Sequence, residues 1–171
     1  MTSATRAKLK IDVLVDSDLW TDPSKIRSML RRAVAQAAAM LSTSGAELAI
    51  VLTDDSAIRQ LNRLWRGVDA PTNVLSFPTN RQGADEPTHL GDIVLAHETI
   101  AREAHDEHKS FAHHVIHLTV HGFLHLIGYD HRDDTEAKTM EDMERRILRR
   151  LSIADPYRTE VKIGKKSATS A

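Results

Sequence analysis

The stretch His121-Gly122-Phe123-Leu124-His125-Leu126-Ile127-Gly128-Tyr129-Asp130-His131 concentrates the metal chemistry of this chain. His121 and His125 stand four residues apart. On a helix that spacing separates them by roughly 40° in azimuth and about 6 Å along the axis. Both imidazoles then leave one face and can reach one ion. Gly128 follows three residues later. Glycine enters the left-handed conformation that ends a helix without a Cβ penalty, so the chain can turn and return His131 to the same ion. Three neutral imidazoles leave the fourth tetrahedral position open, as in a catalytic rather than a structural zinc site. One zinc ion per chain, on His121, His125 and His131, is the expectation.

The elements that must position these residues follow from local patterns. Ser110 is placed to cap a central helix over Phe111–Ile127, which is apolar on much of its circumference and so runs through the middle of the domain. Asp133 or Asp134 caps a last helix reaching about Leu151. Upstream, Leu9–Val15, Ala46–Thr53, Thr72–Pro78 and Leu90–Ala96 read as strands. Pro78 places its strand at an edge or ends it. Asp22-Pro23 opens a helix over Lys25–Leu41, Asp54 or Asp55 opens one over Ser56–Trp65 that Gly67 ends, and Glu98–His108 forms a polar helix. Interleaved strands and helices predict one α+β domain over residues 1–163. Its small mixed sheet of about four strands packs around the histidine-bearing helix. Residues 80–88 are expected to form a flexible surface loop, and residues 164–171 a disordered tail.

Composition narrows the chemistry. There are no cysteines, so a zinc ion must sit on histidine or carboxylate. The net charge is −1, which lends no support to a nucleic-acid partner. No apolar run approaches the roughly 20 residues that span a bilayer, and the first ten residues lack a signal-peptide core. The expectation is a cytoplasmic protein with no membrane partner.

The three histidines and the glycine match the metzincin signature. Those proteases carry a glutamate general base directly after the first histidine, where this chain has Gly122. The stretch instead resembles H-G-x-L-H-L-x-G-Y-D-H, the signature of the YbeY family of metal-dependent endoribonucleases, and every fixed position is filled. Leu61-Asn62-Arg63-Leu64-Trp65-Arg66 is similar to that family's L-N-x-x-aromatic-R segment, and Gly91-Asp92-Ile93 to its G-D-I segment. Thr72–Pro78 resembles T-D-V-L-S-F-P, with Asn73 in place of the aspartate. That exchange removes a negative charge and with it the basis for an acid–base role there. The matches run from Leu61 to Leu148, roughly half the chain.

The resemblance implies a metal-dependent endoribonuclease specific for single strands. Its implied cellular role is processing, maturation and quality control of ribosomal RNA, notably at the 3′ end of the small-subunit RNA. It implies ribosomal proteins or a ribosome-associated GTPase as candidate partners. It also implies that Arg66 lies in the active cleft and, with His121, His125 and His131, is needed for activity. A guanidinium there would match the phosphate oxygens of a phosphodiester. Asp92, Glu98 and Asp130 are candidates for the general acid. Asp130 either orients His131 or caps the turn after Gly128. His113 and His117 continue the stripe but read as surface or packed side chains, His117 with an outer role on a ligand as the alternative. His89, His97, His105, His108 and His114 read as structural. Arg145, Arg146, Arg149 and Arg150 read first as a solvated helix end that complements the dipole. Two rivals remain: a zinc hydrolase of another substrate, peptidase or amidohydrolase, and a non-catalytic ribosome-associated factor with a structural metal.

Overall fold

A computed structural model describes residues 8–79 and 89–158. Expectations for residues 1–7, for the loop 80–88 and for the tail 164–171 lie outside these residues, as does the end of the 1–163 domain. In chain order the elements are β1 (Lys10–Val15), α1 (Pro23–Met40), β2 (Glu47–Thr53), α2 (Asp55–Arg66), β3 (Val74–Pro78), β4 (His89–Ala96), α3 (His97–Asp106), α4 (Phe111–Leu126) and α5 (Asp134–Arg150). Each predicted element is present within two residues of its expected bounds. Local caps account for this. Asp22, Asp54, Ser110 and Asp133 each accept a hydrogen bond from the backbone N–H three residues on.

The sheet has the order β1-β2-β4-β3. β1, β2 and β4 run parallel, and β3 pairs antiparallel with β4, from Val74 opposite Leu95 to Pro78 opposite Gly91. β3 is therefore an edge strand, which is where Pro78 can sit without breaking a ladder. Leu48, Ile50, Leu52, Ile93 and Leu95 point to one face, against Leu30 and Val34 of α1, Val120, Phe123 and Leu124 of α4, and Met140, Ile147 and Leu148 of α5. A smaller cluster on the other face joins Ile58 of α2 to Leu75, Val94 and Ala96. α4 is thus the central helix that the sequence predicts.

Close approach of α4 to the sheet depends on Gly122. A Cβ built there would lie 2.9 Å from Ile93 Cγ2 and 3.0 Å from Ser76 Oγ. The Ser76 hydroxyl donates to the Gly122 carbonyl at 3.2 Å and ties the helix to β3. Any side chain here would have to displace Ile93 or Ser76, so the position that holds the base in a metzincin is crowded against the sheet in this fold.

Candidate metal centre

His121 and His125 leave the C-terminal half of α4 on one side, as their spacing requires. The helix then closes on itself: Gly128 N–H donates to the His125 carbonyl at 3.2 Å and Tyr129 N–H to that of Leu124 at 3.0 Å. Gly128 adopts φ +103° with open space around it, so its role is conformational. The turn delivers His131. The ring centroids of His121 and His125 are 4.7 Å apart, those of His125 and His131 5.0 Å, and those of His121 and His131 5.9 Å. One nitrogen from each ring lies within 4.8 Å of the others.

The hydrogen bonds fix which nitrogens face inward. His121 Nδ1–H donates to Glu144 Oε1 at 2.5 Å, and His125 Nδ1–H donates to the Tyr129 carbonyl at 3.0 Å. Their Nε2 atoms therefore face each other as lone pairs, 3.1 Å apart. A proton on one ring, or a metal cation shared between them, relieves that repulsion. Two ligands about 2.0–2.1 Å from a tetrahedral zinc stand about 3.3–3.4 Å apart, close to the separation seen. Burial, with a smaller contribution from neighbouring His121 and His131, lowers the pKa of His125 below its ordinary value and favours the neutral, ligating form.

Glu144 is the residue that reading along the chain missed. It sits on α5 with its side chain fully buried. Oε1 accepts from His121 Nδ1–H, and Oε2 accepts from His117 Nε2–H at 3.0 Å and from the Tyr157 hydroxyl. Burial works to raise its pKa, but the hydrogen bonds from His117 and His121 outweigh it and hold it down to about 2. Burial and Glu144 together raise the pKa of Tyr157, so that hydroxyl keeps its proton and donates. Glu144 has no lysine or arginine partner among the described residues. A divalent ion on the imidazoles beside it would complement the charge of this buried carboxylate. The donor set and its charge thus fit a divalent nitrogen-binding ion.

A signal for Glu144 was present in the chain. It lies on the same helical stripe as Met140, Ile147 and Leu148, all buried, where an ordinary carboxylate would not be placed. His117, read first as a packed side chain, instead holds the carboxylate that orients His121, which is the alternative considered for it.

The imidazoles open onto a cleft of about 360 Å³ lined by Arg66, Thr72, Asn73, Val74, Leu75, Ser76 and Pro78 together with His121, His125 and His131. Arg66 arrives there because α2 stops one residue later. Gly67 takes φ +70°, and the N–H groups of Gly67 and Val68 close on the Arg63 and Asn62 carbonyls. Buried Asn62 then donates to the Ala70 carbonyl at 2.8 Å and holds the returning loop. Asn73 lines the cleft, but its side chain is engaged. Its amide donates to both oxygens of Glu103, at 3.2 and 3.1 Å, and its carbonyl accepts from Val74 N–H at 2.7 Å. An aspartate at this position would put a like charge against Glu103.

The three acid candidates lie outside the cleft lining. Asp92 contacts His89 at 3.2 Å, Glu98 accepts from Asp55 N–H at 2.9 Å, and Asp130 accepts from His131 N–H and from Arg132 Nε. Asp130 therefore stabilises the turn and makes no hydrogen bond to an imidazole among the described residues. His97 packs between Trp20 and Phe111, and buried His114 donates to Glu103 at 2.8 Å, so both are structural. Arg145 pairs with Asp142 and Asp155.

Fold and geometry define an α+β protein that presents three converging imidazoles at the mouth of a polar cleft. The family described as Endoribonuclease YbeY matches residues 15–152. A curated relative of that name from Nitrobacter hamburgensis is 56% identical over 153 residues, covering 85% of this chain and 80% of the relative. One from Rhodopseudomonas palustris strain BisA53 is 52% identical over 152 residues, covering 85% of this chain and 88% of the relative. The solution structure of TM1509 from Thermotoga maritima shares the fold, with a TM-score of 0.57 at 21% identity over 87% of this chain and 99% of that one. The chain belongs to the Endoribonuclease YbeY family. No helix among the described residues is long and apolar enough to cross a membrane.

Proposed function

We propose that this protein is a metal-dependent endoribonuclease that hydrolyses single-stranded RNA, with His121, His125 and His131 holding one zinc ion. The observation that carries the reading is the convergence of three imidazoles in one cleft with Arg66. A bound divalent ion supplies Lewis acidity and brings water ionisation towards neutral pH. The residues of the chain do the rest. His121 and His125 present Nε2 to the ion because their Nδ1–H groups donate to Glu144 and the Tyr129 carbonyl. Arg66, exposed at the end of α2, offers its guanidinium fork to a non-bridging phosphate oxygen and gains most as charge builds in the transition state. The nucleophile is water, with the RNA 2′-hydroxyl as the alternative. The relatives' name supports RNA as the substrate class. Ribosomal RNA, notably the 3′ end of the small-subunit RNA, is the proposed natural target, in the cytoplasm and alongside ribosomal proteins or a ribosome-associated GTPase.

Gly122 disfavours a peptidase, since it leaves the site without the glutamate base and a side chain there would crowd Ile93 and Ser76. The test is cleavage of an end-labelled single-stranded RNA by purified protein with added zinc, beside His125→Ala. Zinc-dependent cleavage by the wild type and none by the variant is expected. Equal cleavage by both, or none by either with zinc bound, overturns the reading.

A further inference from the structure

We propose that Tyr157, on the segment after α5, is a positioning residue that sets how tightly the histidine cluster holds its cation. The inference rests on the metal-centre reading above and extends it to a part of the chain outside the cleft. α5 ends with Ser152 at φ +59°, and Ile153 N–H closes on the Leu148 carbonyl at 2.9 Å. This left-handed residue reverses the chain and lays the following residues back over α4 and α5. Tyr157 is then held from several sides. Its ring stands edge-on to His117 with centroids 5.6 Å apart, and the Arg145 guanidinium lies 5.0 Å from its centroid. Its N–H donates to Asp155 at 2.8 Å, and Asp155 in turn receives Arg145. The hydroxyl of so constrained a ring donates to Glu144 Oε2 and lies 3.4 Å from His117 Nε2, the other donor to that oxygen.

The consequence concerns geometry at His121. A carboxylate held by one donor can rotate about its terminal torsion, which is broad. Glu144 Oε2 has two donors, His117 and Tyr157, from two different directions along the chain. Together they fix the carboxylate plane and so the direction in which Oε1 draws His121 Nδ1. Ring orientation at a ligand decides whether its lone pair points at the ion, and outer partners of this kind affect metal affinity by about 10–100-fold. Tyr157 acts through Glu144, so its effect belongs at the lower end of that range.

The experiment is zinc affinity of the full chain, measured by competition with a chromophoric chelator, for the wild type, Tyr157→Phe and Glu144→Gln. Melting of each zinc-free protein is recorded in parallel. Tyr157→Phe keeps the ring, its contact with His117 and its place under Arg145, and removes one hydroxyl. We expect its zinc-free melting temperature to stay near the wild type while zinc affinity falls by about tenfold, with a larger loss in Glu144→Gln. Unchanged affinity with a lowered zinc-free melting temperature would make Tyr157 a purely structural residue and overturn the inference. Should Tyr157→Phe fail to fold, His117→Gln removes the companion donor, and the same weakening is expected; unchanged affinity there overturns it too. A wild type that binds no zinc overturns the metal reading itself, which distinguishes that failure from this one.

Discussion

In the proposed mechanism Arg66 and the histidines divide the work by charge. The imidazoles converge at one end of the cleft, whereas the guanidinium is permanently charged and exposed at its edge. Replacing Arg66 with alanine should lower kcat/KM on single-stranded RNA on the order of 10²–10³-fold, as loss of one preorganised donor does, with zinc content unchanged. Arg66→Lys should restore only part of it, because an ammonium lacks the planar fork. Steady-state cleavage with metal analysis checks both. His97 makes a separate prediction about pH. Its ring is sandwiched by Trp20 and Phe111, and burial lowers its pKa despite the opposing effect of Glu98 and Asp55. In the unfolded chain the imidazole titrates near about 6.5. Below that value the unfolded chain binds the extra proton first, so this contribution is complete above about 6.5 and fades as the pH falls through the window beneath it. Urea midpoints at neutral and mildly acidic pH should diverge less in His97→Phe, which keeps the packing and loses the titration.

At the scale of elements, α4 carries both the core and the chemistry. Its sheet-facing side includes Val120, Phe123 and Leu124, all fully buried, while His121 and His125 emerge beside Gly122. Gly122→Ala should therefore cost about 1–3 kcal/mol, the range for overpacking a tight contact. The gain in helix propensity of about 1 kcal/mol offsets only part of what the contact with Ile93 and Ser76 would otherwise cost. Chemical denaturation checks the stability, and zinc affinity should fall with it because His121 moves with the helix. A variant as stable as the wild type would show that α4 can lift from β3 without loss. The elements themselves were legible in the chain because caps, turn glycines and alternation act over a few residues. Asp22, Asp54, Ser110 and Asp133 each declare a helix start locally. The partners of those elements were less legible. Asn73 binds Glu103 across 30 residues, and nothing near either residue announces the pair.

For the whole molecule, the candidate metal centre joins parts far apart in the chain: α2 through Arg66, the turn after α4, α5 through Glu144 and the final segment through Tyr157. A ligand that binds only this assembled form stabilises it by mass action, by about 2.7 kcal/mol at a hundred times its dissociation constant. Stripping the metal with a chelator should therefore lower the melting temperature of the wild type and leave His125→Ala nearly unmoved, as calorimetry would show. The sequence alone determined the three converging imidazoles and the turn that returns the last of them, because i, i+4 spacing and a helix-ending glycine are local geometry. It also determined the order of strands and helices. Only the tertiary structure decided that Glu144, His117 and Tyr157 stand behind His121 and that Asp130 serves the turn. Only it showed that a side chain at position 122 would crowd Ile93 and Ser76. Those facts depend on how α4 packs on β3, β4 and α5, and such packing is set by the whole core rather than by any neighbouring residues.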